Sequence, residues 1–289
     1  MSLAYAAPMR PWLAPLVLVP LLSACGAASS PRPTMGAVVA PDVDANGVWW
    51  SKEEGALYIA DEGSNRLTRW TDAGGATTVA ELPEGKGLGQ PVRLGEGTVV
   101  VPRLGHGGPG GLIVVPRGGP ARVVPLANDR HRLGLTVAAD GRIFVTWFGE
   151  QGGNHVGGVE IVTLEGVETE AMADLSKPVG VVVVGADLIV ADQVSGKILA
   201  APLTDLAHPR LLATVTSPDL IAAGPDGSVL VATRDGGVVR VEANGTTAVL
   251  RDGFASVRGV AYDPSRRRVF IVEHVRGAGG GIHVLRLPE

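Results

Sequence analysis

A short apolar run rich in β-branched residues returns six times along this 289-residue chain: Leu57–Asp61, Thr98–Pro102, Ile143–Trp147, Leu188–Asp192, Val229–Thr233 and Val269–Glu273. The copies recur every 40 to 45 residues or so, and self-similarity at such a period is the mark of one supersecondary unit repeated. Each run is too short for a helix and reads as a buried strand. Another apolar strand and a tight turn precede each copy, as at Glu53-Glu54-Gly55, Asp140-Gly141, Pro225-Asp226-Gly227 and Asp263-Pro264-Ser265, where Gly, Asp and Pro supply the turn geometry. A third strand follows every copy, for example Leu67–Thr71 and Lys197–Pro202. A more variable fourth follows the first five, as at Thr77–Glu81 and Thr246–Leu250.

Six units of four strands predict an all-β chain folded as a six-bladed β-propeller over residues 35–289. The sixth unit lacks its fourth strand, and residues 36–40 are expected to supply it, closing the ring so that no sheet edge stays open. An open solenoid of the same units would need capping repeats, and none is visible.

The first 24 residues read as a signal peptide: Arg10 is the positive flank, Trp12–Leu22 a short apolar stretch, and Leu22-Ser23-Ala24-Cys25 the end of it. The apolar stretch falls well short of the ~20 residues a membrane-spanning helix needs. Cys25 is the only cysteine, so no disulfide can form within the chain. Leu-Ser-Ala-Cys resembles a bacterial lipoprotein signal, which implies acylation at Cys25 and anchoring in the cell envelope. Gly26 after the cysteine resembles the pattern of outer-membrane sorting. Residues 25–34 read as a flexible tether. With 25 basic against 29 acidic residues, the net charge is −4 and the basic residues are scattered, which argues against a nucleic-acid partner.

Gly47-Val48-Trp49-Trp50, Leu57–Asp61, Asn65-Arg66-Leu67 and Pro225-Asp226-Gly227-Ser228 are similar to the NHL-repeat and SMP-30/gluconolactonase-like six-bladed propellers, over nearly all of residues 35–289. In that family a divalent metal, typically calcium, sits in the central channel on a Glu, two Asn and an Asp. The resemblance puts Asn46, Arg132, Val179 and Asp219 at those four places. Only Asp219 keeps a family ligand, so no metal or other cofactor is expected, Ca2+ being the one ion the resemblance implies. In the same register Arg258 of the last blade joins Asn46, Arg132 and Asp219 in the channel. The two arginines could clamp a carboxylate or phosphate, or Asp219 and Arg258 could pair and fill the bore.

Three loops joining second to third strands are long and glycine-rich: Arg103–Gly111, Phe148–Gly158 and His274–Gly281. They share one face with the links between blades and are expected to form a ligand-binding rim. Arg103 and His106 are further ligand candidates there. A resemblance to streptogramin lyase, a metal-free propeller enzyme, makes Glu150, His155, Glu273 and His274 catalytic candidates. No Gly-x-Ser-x-Gly elbow, His-Glu-x-x-His or P-loop is present. The expectation is an envelope propeller that binds a protein, peptide or glycan through its loop-rich face. The alternative is a hydrolase or lyase acting on a small anionic substrate in the channel.

Overall fold

The computed structural model describes residues 33–106, 110–127, 130–277 and 279–288. Cys25, the signal peptide and most of the expected tether lie outside them. Among the described residues no helix is long and apolar enough to cross a membrane.

The chain opens with two short strands, β1 (Thr34–Met35) and β2 (Ala40–Pro41), then runs through six sheets in sequence order. Blade 1 holds β3 (Ala45–Ser51), β4 (Ala56–Asp61), β5 (Arg66–Thr71) and β6 (Gly75–Glu81). Blade 2 has a split inner strand, β7 (Lys86–Leu88) and β8 (Val92–Arg93), then β9 (Val99–His106), β10 (Gly111–Val115) and β11 (Arg122–Pro125). Blade 3 is β12 (His131–Val137), β13 (Ile143–Gln151), β14 (Asn154–Val162) and β15 (Glu168–Leu175); blade 4 is β16 (Pro178–Val184), β17 (Asp187–Asp192), β18 (Lys197–Pro202) and β19 (Arg210–Thr214). Blade 5 is β20 (Pro218–Ala223), β21 (Val229–Thr233), β22 (Gly237–Val241) and β23 (Thr247–Arg251). Blade 6 is β24 (Val257–Asp263), β25 (Arg268–Val275) and β26 (Gly279–Arg286).

β1 and β2 both pair antiparallel with β26 and complete blade 6, as the missing-strand argument requires. The pairing starts at Thr34, inside the expected tether, and is broken between Met35 and Ala40. Only Gly36 N, donating to Val284 O at 2.7 Å, and Val39 N, donating to Ile282 O at 2.9 Å, bridge that gap. Apolar clusters fill the spaces between neighbouring blades; Val48, Trp50, Leu57, Trp70 and Phe270 lie buried between blades 1 and 6.

That seam is also held by charge. Arg268, 5% exposed, donates to Asp263 of its own blade at 2.8 Å and to Asp72 of blade 1 at 2.7 Å. Its guanidinium carbon lies 5.4 Å from the Trp50 ring centre and 5.0 Å from that of Phe270.

The inner strands approach one another so closely that a side chain is excluded at one place in five of the six blades. A Cβ added to Gly47 would lie 2.4 Å from Gln90 Cα, one on Gly89 2.1 Å from Leu133 O, and one on Gly134 2.4 Å from Val179 O. The series continues with Gly180 against Asp219 O at 2.6 Å and Gly259 against Asn46 O at 2.4 Å. Each glycine faces the backbone of the next blade, so five of the six junctions are glycine-to-backbone contacts; blade 5 alone has a larger residue, Leu220, in the corresponding stretch.

Gly134→Ala is therefore expected to lower unfolding stability by about 1–3 kcal/mol, the usual cost of forcing atoms into a packed interior. Gly95→Ala, whose added methyl meets open space, should change little. Urea unfolding of both variants measures the difference.

Candidate functional site

β7 of the split inner strand slips register with β9 between Lys86 and Leu88, and each unsplit inner strand slips register with its neighbour near the mouth of the channel. The slips of the unsplit strands fall between Ala45 and Val48, Arg132 and Leu135, Pro178 and Gly180, Pro218 and Ile221, and Val257 and Gly259. A bulge re-aims the side chain it carries, and these bear Asn46, Leu133, Val179, Asp219 and Arg258. In blades 1, 4, 5 and 6 a backbone hydrogen bond ties the end of the second strand to the start of the first: Glu62 N to Asp44 O at 2.7 Å, Gln193 N to Lys177 O at 2.9 Å, Arg234 N to Ser217 O at 2.9 Å and His274 N to Ser256 O at 2.9 Å. The side chains at those positions are gathered on the same mouth.

Two kinds of surface result. Leu133, Phe148, Val179 and Leu220 form a buried apolar cluster with Leu104 packed against it. Phe148 carries Lys177 Nζ 5.0 Å from its ring centre, and the rings of His131 and His155 lie 5.4 and 6.5 Å away. The polar part centres on Asp219, which is 1% exposed. Arg258 Nη1 lies 3.8 Å from Asp219 Oδ2, beyond hydrogen-bond reach. Asp219 Oδ2 and Arg258 Nε are both buried without a hydrogen-bond partner. Burial pushes the Asp219 carboxyl up to about 6 against the opposing pull of Arg258, Arg234 and Lys177. Burial lowers Lys177 and Arg258 as well, with Arg234 adding to each.

Asn46 is in the channel as expected, but its amide is engaged: Nδ2 donates to Leu88 O at 3.0 Å and to Glu62 Oε2 at 3.3 Å. Arg132 is not in the channel. It pairs with Trp147 one residue before the bulge, so Leu133 takes the inward position. The Arg132 side chain is fully buried within blade 3, donating to Glu160 at 2.5 Å, to Glu168 at 2.7 Å and to Ala127 O at 3.0 Å. Arg130 reaches the other oxygen of Glu160 at 2.8 Å and covers the Trp147 ring at 4.0 Å. Arg103 is 5% exposed and donates to Glu84 O at 2.6 Å and to Pro83 O, holding the link between blades 1 and 2. His106 ends β9.

The expected rim loops are largely strand. β13 and β14 run on to a two-residue turn at Gly152 and Gly153, both with positive φ, the conformation a tight hairpin requires. Glu150 and His155 face each other across that hairpin and are exposed. Glu273 accepts from Ala255 N at 2.9 Å and lies 2.8 Å from His283 Nε2; His274 Nδ1 lies 3.3 Å from Asp44. The four residues thus form two separate groups, on blades 3 and 6, at opposite sides of the ring. Lys177, Leu133, Phe148 and Glu62 were not among the expected site residues. A signal for two of them lies in the repeat itself: Glu62 and Phe148 follow second strands just as Arg103, Arg234 and His274 do.

The oxygen donors of the inward ring are the Asn46 amide and the Asp219 carboxylate, with Arg258, Arg234 and Lys177 beside the latter. Calcium takes about six to eight oxygen ligands, and three cations around one carboxylate oppose a dication. Among the described residues no group of three His, Cys, Asp or Glu side chains is placed to hold a metal. The donor set does not suit calcium.

No family model matches the chain, and no curated protein matches it in sequence. Solved structures match its fold. A gluconolactonase from Xanthomonas campestris is 20% identical, with a TM-score of 0.69 over 87% of this chain and 88% of its own. A calcium-binding protein, regucalcin, from Agrobacterium tumefaciens is 15% identical, with a TM-score of 0.69 over 86% and 92%. Virginiamycin B lyase from Staphylococcus aureus is 14% identical, with a TM-score of 0.63 over 89% and 99%. The chain thus has the six-bladed propeller fold of the gluconolactonase-like and streptogramin-lyase-like structures.

Because the folded state holds the Asp219 proton more tightly than the unfolded chain does, this group costs stability as pH rises from about 4 through about 6. Asp219→Asn is expected to be more stable than the wild type at pH 7, by roughly 3 kcal/mol, and equal to it below about pH 4. Urea unfolding across that range reads both limbs.

Proposed function

We propose that this is an envelope-tethered propeller that binds a small carboxylate-bearing molecule at the channel mouth, its anionic end among Lys177, Arg234 and Arg258 and its apolar part against Leu133, Phe148 and Val179. The observation that carries the reading is the pair of unsatisfied buried atoms, Asp219 Oδ2 and Arg258 Nε. A buried polar atom without a partner costs about 1–3 kcal/mol. A ligand with an acceptor for Arg258 next to a donor for Asp219, as in a 2-hydroxy acid, would satisfy both atoms. The three cations beside a carboxyl pushed up to about 6 support an anion over a neutral ligand, with Asp44 and Glu62 acting on Arg258 from the blade 1 side.

The same carboxyl is chemically suited to give or take a proton at neutral pH, since a buried acid with a value near the working pH serves general acid–base chemistry. That supports a hydrolase or lyase reading on the bound anion, with Asp219 as the proton carrier. The gluconolactonase and lyase among the fold neighbours support an enzyme of this kind. A protein, peptide or glycan partner would instead use the projecting hairpin of Gly149–Val156 around the mouth.

Thermal unfolding with a panel of hydroxy acids, other carboxylates and lactones tests the site. At least one carboxylate is expected to raise the midpoint by linkage, equally with and without EDTA, and the shift should vanish in Arg258→Ala. No shift with any member, or one that survives in Arg258→Ala, would overturn the reading.

The tether is tested apart from the ligand. Cys25→Ser is expected to move the protein from the membrane to the soluble fraction of its host, and membrane association unchanged by the substitution would refute acylation there.

A further inference from the structure

The face opposite the channel mouth carries a second concentration of charge, in the seam between blades 1 and 2. A cleft of about 500 Å³ there is lined by Glu54, Tyr58, Arg69, Arg93 and Arg117 together with apolar side chains such as Val99. The β3–β4 turn supplies Glu54, β4 Tyr58, β5 Arg69, the end of β8 Arg93, and the β10–β11 turn Arg117. Five separate pieces of chain converge on one concave surface.

Glu54 organises the group. Its Oε2 accepts from Tyr58 OH at 2.7 Å and from Arg69 Nε at 3.1 Å, and Arg93 Nε lies 2.9 Å from its Oε1. Burial pushes the Glu54 carboxyl up, but Tyr58, Arg69 and Arg93 outweigh that and hold it below the usual carboxylate range. Burial and Glu54 push the Tyr58 phenol up to about 12, so its hydroxyl stays a donor. Both arginines meet the carboxylate through Nε. The paired Nη groups of each guanidinium remain free, and among the described residues they meet no acceptor. Arg117 has no ion pair among the described residues. Three guanidinium groups therefore share one carboxylate, and two of them are fixed by it.

Arginine forks held in place and facing a concave surface suit an oxyanion with several acceptor oxygens. We propose that this cleft is a second binding site, for a phosphate-bearing ligand, held by Arg69, Arg93 and Arg117 and distinct from the channel mouth. The cleft is larger than a bare phosphate, and its valines would take an uncharged remainder. A free phosphate ester and the headgroup of an anionic phospholipid present the same group.

The test uses the full-length chain in neutral detergent carrying Arg258→Ala, so that the channel mouth cannot contribute. Inorganic phosphate, compared with chloride at equal ionic strength, is expected to raise the unfolding midpoint and to bind in calorimetry. Arg117→Ala, at an exposed turn, should keep the midpoint of the phosphate-free protein and weaken phosphate binding about tenfold. Arg93→Lys, which keeps the charge and loses the fork, should weaken it similarly. No phosphate-specific shift, or binding unchanged in both variants, would overturn the proposal. Flotation with phosphatidylglycerol vesicles against phosphatidylcholine vesicles, using Cys25→Ser to remove the anchor, then separates the sources. Flotation competed away by phosphate identifies a lipid headgroup, and phosphate binding without flotation identifies a soluble ester.

Discussion

The distance between neighbouring inner strands governs this propeller. Six strands can ring a narrow bore only if their backbones touch near the mouth, and the added-Cβ distances of 2.1 to 2.6 Å at Gly47, Gly89, Gly134, Gly180 and Gly259 show how little room remains. The contacts all run in one direction, each glycine against the following blade, so they work as a repeated joint. Because the last joint, Gly259 against Asn46, links blade 6 to blade 1, the same contact that spaces the blades also closes the ring. The seam there carries further ties: two strands from the start of the chain in blade 6, and Arg268 spanning to Asp72 across a wall of Trp50, Trp70 and Phe270.

The bulges follow from the same crowding. A strand that meets its neighbour at a glycine has to place the adjacent residue somewhere, and the register slip turns it into the channel. What the site can bind is then set by one residue per blade. Leu133 and Val179 make blades 3 and 4 apolar, whereas Asp219, Arg258 and Asn46 make blades 5, 6 and 1 polar. The bore behind the mouth, about 230 Å³, is lined by Val92, Leu135, Val182 and Val260 together with Gln90, Thr136 and Tyr262. Asp219 is 1% exposed, and that burial outweighs three cations in setting its proton affinity.

The repeat made blade number, strand order and ring closure legible, because short apolar runs at a constant period admit few other folds. Asn46 and Asp219 were placed by the resemblance to the gluconolactonase-like family, and Arg258 by the same register in the last blade. Arg132 was misplaced by one residue. The pattern Arg-x-Arg-Leu-Gly runs straight into the bulge, and only the cross-strand pairing of Arg132 with Trp147 shows that Leu133 is the residue turned inward. The glycine-rich stretches after β9, β13 and β25 read from the sequence as long rim loops. Cross-strand contacts show a different reason for their glycines: an added Cβ on Gly157 would lie 2.5 Å from Trp147 O, and one on Gly280 2.0 Å from Glu273 O. Clusters built from distant elements, such as Glu54 with Arg93 or Glu160 with Arg132, leave no local pattern to find.

The two faces of the ring are electrostatically unlike in a way that bears on function. At the mouth, cations surround a carboxylate that burial partly neutralises, and two polar atoms are left unsatisfied where a ligand could pair with them. In the seam of blades 1 and 2 the carboxylate stays ionised and its partners are satisfied on one side, leaving guanidinium edges outward. The first arrangement suits a ligand that exchanges hydrogen bonds, or a proton, with Asp219; the second suits a fully charged oxyanion and no proton transfer. Both depend on inter-blade geometry set by the glycine joints. Glu54 and Arg93 lie across the blade 1–2 junction jointed at Gly47, whereas Asp219 and Arg258 meet across the one junction without such a glycine and are held from their far sides, by the Gly180 joint against Asp219 and the Gly259 joint beside Arg258. A substitution that widens a joint should therefore disturb binding at the neighbouring site before it unfolds the ring, because a shift of a few tenths of an ångström is enough to misalign a charge-assisted hydrogen bond.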